Sequence, residues 1–236
     1  MAVDRDSTLR WMELFAASMA EHRQELVRLD TAIGDGDHGT NMDRGMQKAL
    51  EKLHADAAAG EEADAGAGTE AEAGTEAGAG TEAGADAEAD PGAVLKTVAM
   101  TLISTVGGAA GPLYGTLFLQ LGGGLAGQSD IDLPAYAAAW RTAAEAVQAR
   151  GKAEPGDKTM LDALLPAVDA LERAGTLEQG LRAAVDAARE GMLATTPLVA
   201  RKGRASYLGE RSAGHQDPGA TSTYYLFESA AEALRS

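Results

Sequence analysis

The sequence predicts an all-α fold, a bundle of up-and-down antiparallel helices, from three observations. Eight segments carry apolar residues at helical spacing, and no stretch has the pattern of a convincing strand. Alanine and glycine are abundant while aromatic residues make up 4%, which favours close helix packing over a β-sheet. The connections are short, apart from an acidic segment at 55–90 and a basic loop at 197–218. We therefore expect residues 1–236 to form one domain that contains residues 55–90 as an insertion.

The first two predicted helices flank the most unusual loop of the chain. Apolar residues recur at helical spacing from Thr8 to Leu29, with Asp6 available as the N-cap, and a second helix starts near Asn41. The motif between them ends at a helix N-terminus, where free N–H groups and the helix dipole favour an anion such as phosphate.

Three aspartates of this motif are candidate metal ligands. Asp35 and Asp37 are separated by one glycine, so a tight loop can direct both at one point, and Asp30 lies where the first helix ends. Converging carboxylates repel one another unless a cation lies between them. Oxygen ligands of this kind suit Mg²⁺ or Ca²⁺. The alternative is a solvated turn, since Asp and Gly favour turns by themselves.

Residues 55–90 have a composition unlike the rest of the chain. They consist of Ala, Gly, Glu, Thr and Asp only, and a six-residue repeat of the form Gly-Thr-Glu-Ala-x-Ala spans 68–85. With nothing larger than threonine to bury, the segment cannot offset the entropy cost of becoming ordered. We expect a disordered, low-complexity acidic insertion, in which a frayed Ala/Glu helix is the alternative.

Cap residues predict where the later helices begin. Asp90 and Pro91 start the third helix, which runs to a small-residue break at 107–112 before the fourth. That break is either a simple helix–helix turn or a place where a ligand lies directly on the backbone. Asp132 caps the fifth helix, which ends at Gly151.

The same signals mark the last three helices. Asp157 is the expected N-cap of the sixth helix, Thr176 opens a capping box for the seventh, and Asp217 with Pro218 starts the eighth. The loop at 197–218 is long enough to be functional. Its basic residues are Arg201, Lys202, Arg204 and Arg211. They suit phosphate oxygens, although a solvated basic loop is equally consistent, and Tyr207 and Leu208 are expected to fix it to the core.

Composition excludes several classes of function. The formal net charge of −16 argues against nucleic acid or an anionic membrane as a partner, although eleven of the acidic residues lie in 55–90. The chain contains no cysteine, which excludes disulfides and thiolate chemistry. The first residues lack the pattern of a signal peptide, and no apolar run reaches transmembrane length. We expect a soluble cytoplasmic protein.

In an up-and-down bundle, the loops after odd-numbered helices share one end. These loops are the aspartate motif, the break at 107–112, the segment 151–157 and the basic loop. Nearly every unusual polar feature therefore falls at one end of the predicted bundle, which favours a single site there.

Segments in these four loops resemble the nucleotide-binding L subunits of bacterial dihydroxyacetone kinases, the DhaL family. The segments are GDGDHGTNM at 34–42, STVGGAAGPLYGT at 104–116, RGKAEPGDKTM at 150–160 and ARKGRASYLGERSAGHQDPGATS at 200–222. The resemblance covers the chain except residues 55–90. It implies a closed barrel of eight antiparallel helices that holds ADP or ATP at one end with two Mg²⁺ ions.

The resemblance also implies roles for particular residues. Asp30, Asp35 and Asp37 would be the metal ligands that bridge the ions to the phosphates. The implied nucleotide contacts are His38, Gly39, Thr40, Asn41, Ala109, Ala110, Gly151, Met160, Arg204, Asp217, Pro218 and Gly219. Ala110 stands where some relatives carry serine, so no hydroxyl contact is expected there.

The implied reaction is phosphoryl transfer to dihydroxyacetone, a step of glycerol metabolism, with the sugar held by a histidine on a separate K subunit. Positioning and metal ions provide most of such catalysis. ADP would remain bound and be recharged by a phosphohistidine M subunit of the phosphotransferase system, or free ATP would exchange, as in glycerone kinases. The lack of a fused K region in this chain favours the M subunit. A phosphohydrolase and a regulatory, nucleotide-sensing binding module are the competing hypotheses.

Overall fold

In the computed structural model, which describes residues 3–67, 90–128 and 131–235, the chain is all-α as predicted. The described residues form nine α-helices and one 3₁₀ segment, Arg204–Ser212. The helices are α1 Arg5–Glu21, α2 Arg23–Ile33, α3 His38–Ala67, α4 Pro91–Thr105, α5 Ala110–Leu125, α6 Leu133–Gly151, α7 Leu161–Glu172, α8 Leu177–Ala194 and α9 Pro218–Ala233.

The first predicted helix is two helices, so nine helices correspond to the eight expected. The break is at His22, whose φ of −91° and ψ of 7° interrupt the regular helix between α1 and α2. The imidazole stacks on the ring of Tyr225 in α9, with the ring centroids 4.1 Å apart, and Nδ1 lies 3.2 Å from the Glu25 carboxylate. These contacts hold His22 in the break. The break could not be predicted from the neighbouring sequence, because the stacking partner Tyr225 lies far away along the chain.

The helices close into a ring around one apolar core. From α3 to α9 each helix packs against the next, and α1 packs against both α9 and α3. Trp11 of α1 lies at the centre, where its indole N–H donates to the Leu226 carbonyl 3.1 Å away and its ring contacts Phe118 and Trp140. Small residues let the backbones approach, since a Cβ at Gly122 of α5 would lie 2.8 Å from the Gly92 oxygen of α4.

The first part of the segment predicted as an insertion from residue 55 is helical, which agrees with the Ala/Glu helix given as the alternative. Helix α3 continues to Ala67, because alanine and glutamate are strong helix formers even where no apolar face remains to be buried. The rest of the predicted insertion, residues 68–89, lies outside the described residues. Asp90 caps α4, as predicted, because its carboxylate accepts from Gly92 N at 2.8 Å.

Most of the predicted caps are confirmed and two are wrong. Asp132, Thr176 and Asp217 each accept a hydrogen bond from a main-chain N–H in the first turn of their helix. Helix α1 is capped by Asp4 rather than Asp6, because Asp4 and Ser7 form a reciprocal capping box. Asp157 caps no helix: α7 begins four residues later, and the Asp157 carboxylate accepts from Glu154 N within the preceding loop.

The basic loop is partly ordered by its 3₁₀ segment. Leu208 packs against a small apolar cluster of Ile33, Ala200 and Ala205, as expected for a residue that fixes the loop. Tyr207 does not, since 87% of it is exposed. Within the described part of the chain, no helix combines the length and apolarity needed to cross a membrane.

Candidate functional site

The four predicted loops meet around one cavity of about 220 Å³ at one end of the ring. Its walls come from the α2–α3 loop, the α4–α5 loop with the first turn of α5, the α6–α7 loop, and the basic loop with the start of α9. The lining residues are Asp30, Ile33, Asp35, Asp37, His38, Gly107, Gly108, Ala109, Ala110, Leu113, Tyr114, Lys158, Thr159, Met160, Lys202, Gly203, Arg204, Ala205, Asp217, Pro218 and Gly219. The expectation that these loops share one end is therefore confirmed.

The three aspartates converge on one side of this cavity. One carboxylate oxygen from each of Asp30, Asp35 and Asp37 lies within 4.8 Å of the other two. Asp30 is buried in the last turn of α2, whereas Asp35 and Asp37 are exposed on the loop. All three donors are carboxylate oxygens close enough to reach one ion, and such an all-oxygen donor set suits a hard divalent cation such as Mg²⁺.

Local hydrogen bonds make the loop adopt this shape. The Asp30 carboxylate accepts from the main-chain N–H groups of Asp37 and His38, at 2.8 and 3.1 Å. Gly36 has a φ of +75°, and a Cβ there would lie 2.6 Å from the Thr31 hydroxyl, so glycine is required on both counts. Asp30 therefore both folds the loop and offers an oxygen to the cluster.

A basic side chain reaches the same cluster from the opposite wall. Arg204 of the 3₁₀ segment places Nη2 3.0 Å from Oδ2 of Asp35. The side chain of Arg204 is 65% solvent-accessible and that of Asp35 is 34% accessible, so this ion pair is screened and contributes little to stability. The position of this pair matters more than its strength. It places the Arg204 guanidinium next to the aspartate cluster, where it could neutralise a phosphate that binds beside a cation.

His38 forms part of a buried hydrogen-bond network beneath the cavity. Its Nε2 lies 2.9 Å from the Ser222 hydroxyl, which is 2.7 Å from the hydroxyl of Tyr114, and Tyr114 also lies 3.1 Å from Thr223 Oγ1. Burial lowers the pKa of His38 to about 4, although Asp30 opposes the shift. The neutral imidazole is thus held in a fixed orientation between α3, α5 and α9.

Another wall of the cavity is bare backbone at the start of α5. A Cβ built at Gly107 or Gly108 would meet no atom within 4 Å, so the space above this turn is open. Helix α5 begins at Ala110 with no side-chain cap, which leaves its first N–H groups available to a ligand or to water. The break at 107–112 is therefore both a helix–helix turn and part of the cavity wall.

The sequence predicted most of the lining residues, and four of the implied nucleotide contacts lie outside the lining. Thr40 is exposed, and Asn41 accepts a hydrogen bond from Arg44 at 2.8 Å. Gly39 packs beneath α2, where a Cβ would overlap the Arg23 carbonyl oxygen. Gly151 ends α6, where an added Cβ would lie 3.5 Å from the lining residue Leu113.

Three residues that make buried polar contacts at the site could not be assigned a role from the sequence. Tyr114 and Ser222 join the network around His38, and Lys158 is buried beside the cavity. None lies in a pattern that indicates its partner, because the groups they bind come from distant parts of the chain.

Comparison with known proteins gives a consistent result. The family model described as the DAK2 domain matches residues 63–232. The chain is 37% identical to the ADP-binding subunit DhaL of the PEP-dependent dihydroxyacetone kinase of Escherichia coli, over 100% of both chains. It is 38% identical to the ADP-binding subunit DhaL of the PTS-dependent dihydroxyacetone kinase of Lactococcus lactis, over 97% of both. Among solved structures, the dihydroxyacetone kinase of C. freundii aligns with a TM-score of 0.64 and 25% identity, covering 95% of this chain and 34% of that one.

Proposed function

The chain belongs to the DhaL family of DAK2-domain proteins, and from that premise we propose that it is the nucleotide-binding subunit of a dihydroxyacetone kinase. It would hold ADP or ATP with Mg²⁺ in the cavity and transfer the γ-phosphate to dihydroxyacetone on a separate K subunit. The observation that carries the proposal is the convergence of three carboxylates, an uncapped helix N-terminus and Arg204 on one cavity.

Each wall would have its own role towards the nucleotide. The oxygens of Asp30, Asp35 and Asp37 would hold Mg²⁺, and we assign two ions from the family resemblance. The bound ions would neutralise phosphate charge. Arg204 and the free N–H groups at the start of α5 would bind phosphate oxygens, since both offer donors and positive potential. The residue contacts named from the resemblance, including Gly39, Thr40, Asn41 and Gly151, remain predictions.

The cavity supports transfer to another protein better than hydrolysis. His38 is the one imidazole among the described lining residues; its Nε2 is bonded to Ser222 and its lowered pKa makes it a weak base, so it is poorly suited to activate water. A phosphohydrolase that relied on a side-chain base would need a stronger one. The acceptor sugar is therefore proposed to arrive on a K subunit that docks over the open side of the cavity.

The phosphoryl donor is proposed to be a phosphohistidine M subunit of the phosphotransferase system. The names of the two DhaL relatives, one PEP-dependent and one PTS-dependent, support this route. It would place the subunit in the cytoplasm with that system. Free ATP, as in a glycerone kinase, is the alternative donor.

The identity of the ligand that the protein releases on denaturation distinguishes recharging by an M subunit from exchange of free ATP. The purified protein is denatured and the mass of any small molecule that it releases is measured. Retained ADP would support the phosphotransferase route, and an empty site with ATP-driven phosphorylation of dihydroxyacetone by added K subunit would support exchange. Phosphate release without K subunit would instead indicate a hydrolase. Tight binding to a partner protein without any turnover would indicate the regulatory module.

Asp35→Ala tests the metal assignment. We expect this variant to lose Mg²⁺-dependent ADP retention with unchanged helicity by circular dichroism, because Asp35 is exposed and caps nothing. Asp43→Ala is the matched control, since Asp43 lies on α3 and pairs with Arg23 at 3.6 Å, outside the cluster. Unchanged Mg²⁺-dependent binding in Asp35→Ala would contradict the assignment.

A further inference from the structure

We propose that Lys158 is a positioning residue of the nucleotide site, whose ammonium group ties together the two ends of the basic loop. The expected effect on nucleotide binding rests on the proposed function, because this loop carries residues of the proposed nucleotide cavity. It concerns a lysine that touches main-chain carbonyls rather than the ligand.

The geometry of the ammonium group is the first observation. Lys158 Nζ donates to the carbonyl oxygens of Thr195 and Leu198, at 2.8 and 3.1 Å, and lies 3.4 Å from that of Thr196. These groups follow the C-terminus of α8, at the start of the basic loop. The same nitrogen also donates to the carbonyl of His215, two residues before the cap of α9. One side chain thus spans both ends of the loop.

Burial makes this arrangement costly unless the bonds form. Lys158 is 1% exposed, and removing an ammonium group from water is unfavourable unless it is hydrogen-bonded. The carbonyls at the end of α8 also carry the negative end of the helix dipole, which stabilises a cation there. Burial lowers the pKa of Lys158, and the carboxylates of Asp217 and Asp162 oppose that shift. The carbonyl acceptors and the two carboxylates therefore offset part of the cost of burying this ammonium group.

The backbone at Lys158 is held in an unfavourable conformation. Its φ is +63°, in the left-handed region that is unfavourable for a residue with a side chain. The Asp162 carboxylate fixes both flanks by accepting from Gly156 N at 2.5 Å and Thr159 N at 2.7 Å. The carbonyl of Asp157 accepts from Arg201 N at 3.0 Å, which adds a direct link to the basic loop. A strained backbone of this kind persists only where surrounding contacts hold it in place. Here these hydrogen bonds hold it, and the resulting conformation directs the Lys158 side chain at the loop.

A direct role in phosphate binding does not fit these contacts. An ammonium group has three protons, and four carbonyl oxygens already lie within reach of it. No proton remains for a ligand. The loop that Lys158 holds does reach the cavity, through Lys202, Gly203, Arg204 and Ala205, and the Asp217–Gly219 turn follows directly. Lys158 therefore acts through the position of these groups.

The absence of cysteine from the chain allows a precise test. In the Lys158→Cys variant, alkylation with 2-bromoethylamine under denaturing conditions restores a side chain of lysine's length with an amine. Alkylation with 1-iodopropane gives an uncharged side chain of the same length. Both products and the wild type are refolded by one protocol. Trypsin cleavage within the basic loop, at Arg201, Lys202, Arg204 and Arg211, is then mapped by mass spectrometry without nucleotide, and Mg²⁺-dependent ADP affinity is measured by calorimetry.

We expect the propyl protein to be cleaved in the loop and to bind ADP about 10- to 100-fold more weakly. This range is typical of residues that position ligand-binding groups without contacting the ligand. The aminoethyl protein should regain both properties. If the propyl protein resists trypsin and binds ADP as well as the aminoethyl protein, or if the aminoethyl protein regains neither property, the inference is wrong. A loss of ADP affinity without loop cleavage would also overturn it, because that pattern indicates direct phosphate contact.

A control separates positioning from general stability. Arg141→Met removes the pairing of Arg141 with Asp169 and Glu172 between α6 and α7, away from the cavity. It should lower the urea midpoint while leaving loop cleavage and ADP affinity unchanged. Weaker ADP binding with new loop cleavage in this variant would overturn the inference, because any destabilised variant would then give the same result. If the wild type binds no ADP, the proposed function fails, while the cleavage pattern still decides whether Lys158 holds the loop.

Discussion

Residues whose partners are near in sequence were predictable, and those with distant partners were not. Asp30, Asp35 and Asp37 lie within eight consecutive residues, at the end of α2 and in the loop after it, so their convergence was predictable from spacing. The hydroxyl of Ser222 binds His38, 184 residues away, and Tyr114, 108 residues away. Lys158 gave no signal because a lysine in a polar loop is ordinarily solvated. Only the closed ring of helices brings such pairs together.

Asp217 gives a prediction about pH. Burial raises the pKa of this carboxyl to about 7, and although the hydrogen bond from Ala220 N and the charge of Lys158 oppose the shift, they do not cancel it. The folded state therefore holds a proton between pH 4 and 7 that the unfolded state has released. Stability from this group is complete below pH 4 and is lost as pH rises through 7. The loss is about 4 kcal/mol at most.

Asp217→Asn should remove this dependence, because asparagine stays neutral and still serves as an N-cap. Urea unfolding at pH 4.5 and 7.5 measures the effect. Relative to the variant, the wild type should lose stability between the two pH values. A constant difference between the two proteins would show that Asp217 titrates normally.

At the scale of helices, starts were predicted well and interruptions were not. Caps such as Asp132, Thr176 and Asp217 act on N–H groups within their own first turn, so the sequence contains all the information. The break at His22 is stabilised by stacking on the ring of Tyr225. The Asp157 carboxylate accepts a hydrogen bond from Glu154 N in the loop and therefore does not cap α7. Helix α3 runs past its apolar stripe into a sequence rich in Ala and Glu, which favour helix. Tertiary contacts and weak propensities therefore account for the wrong boundaries.

The low-complexity segment gives the prediction at this scale. Replacing residues 60–89 with a short Gly/Ser linker should change the melting temperature and transfer activity little, because Leu53 is the last core residue among the described side chains of α3, which end at residue 59. Asp90 is retained since it caps α4. Its substitution Asp90→Ala is the contrast, and it should cost about 1 kcal/mol of stability. Thermal unfolding of the three proteins decides the matter, and a large fall in the deletion variant would assign the segment a structural role.

For the whole molecule, closure of the ring gathers the unusual loops at one end. The helix order predicted that arrangement, since alternating direction places every second loop together. It could not give the closure itself, which depends on packing of α9 against α1, or the depth of the cavity between the loops. The cavity walls come from distant parts of the chain, so a ligand bound there bridges segments that separate on unfolding.

The last prediction follows from this bridging. A ligand that binds only the folded protein raises the free energy of unfolding by about 2.7 kcal/mol at 100 times its Kd. For a domain of this size that corresponds to a rise in Tm of about 5–10 °C. We expect ADP with Mg²⁺ to produce it, and excess EDTA to abolish it, because the three carboxylates repel the phosphates when no cation lies between them. Scanning calorimetry with ADP alone, Mg²⁺ alone and both measures each contribution. An equal rise with ADP in the presence of EDTA would show that phosphate binding at this end of the ring does not depend on the aspartates.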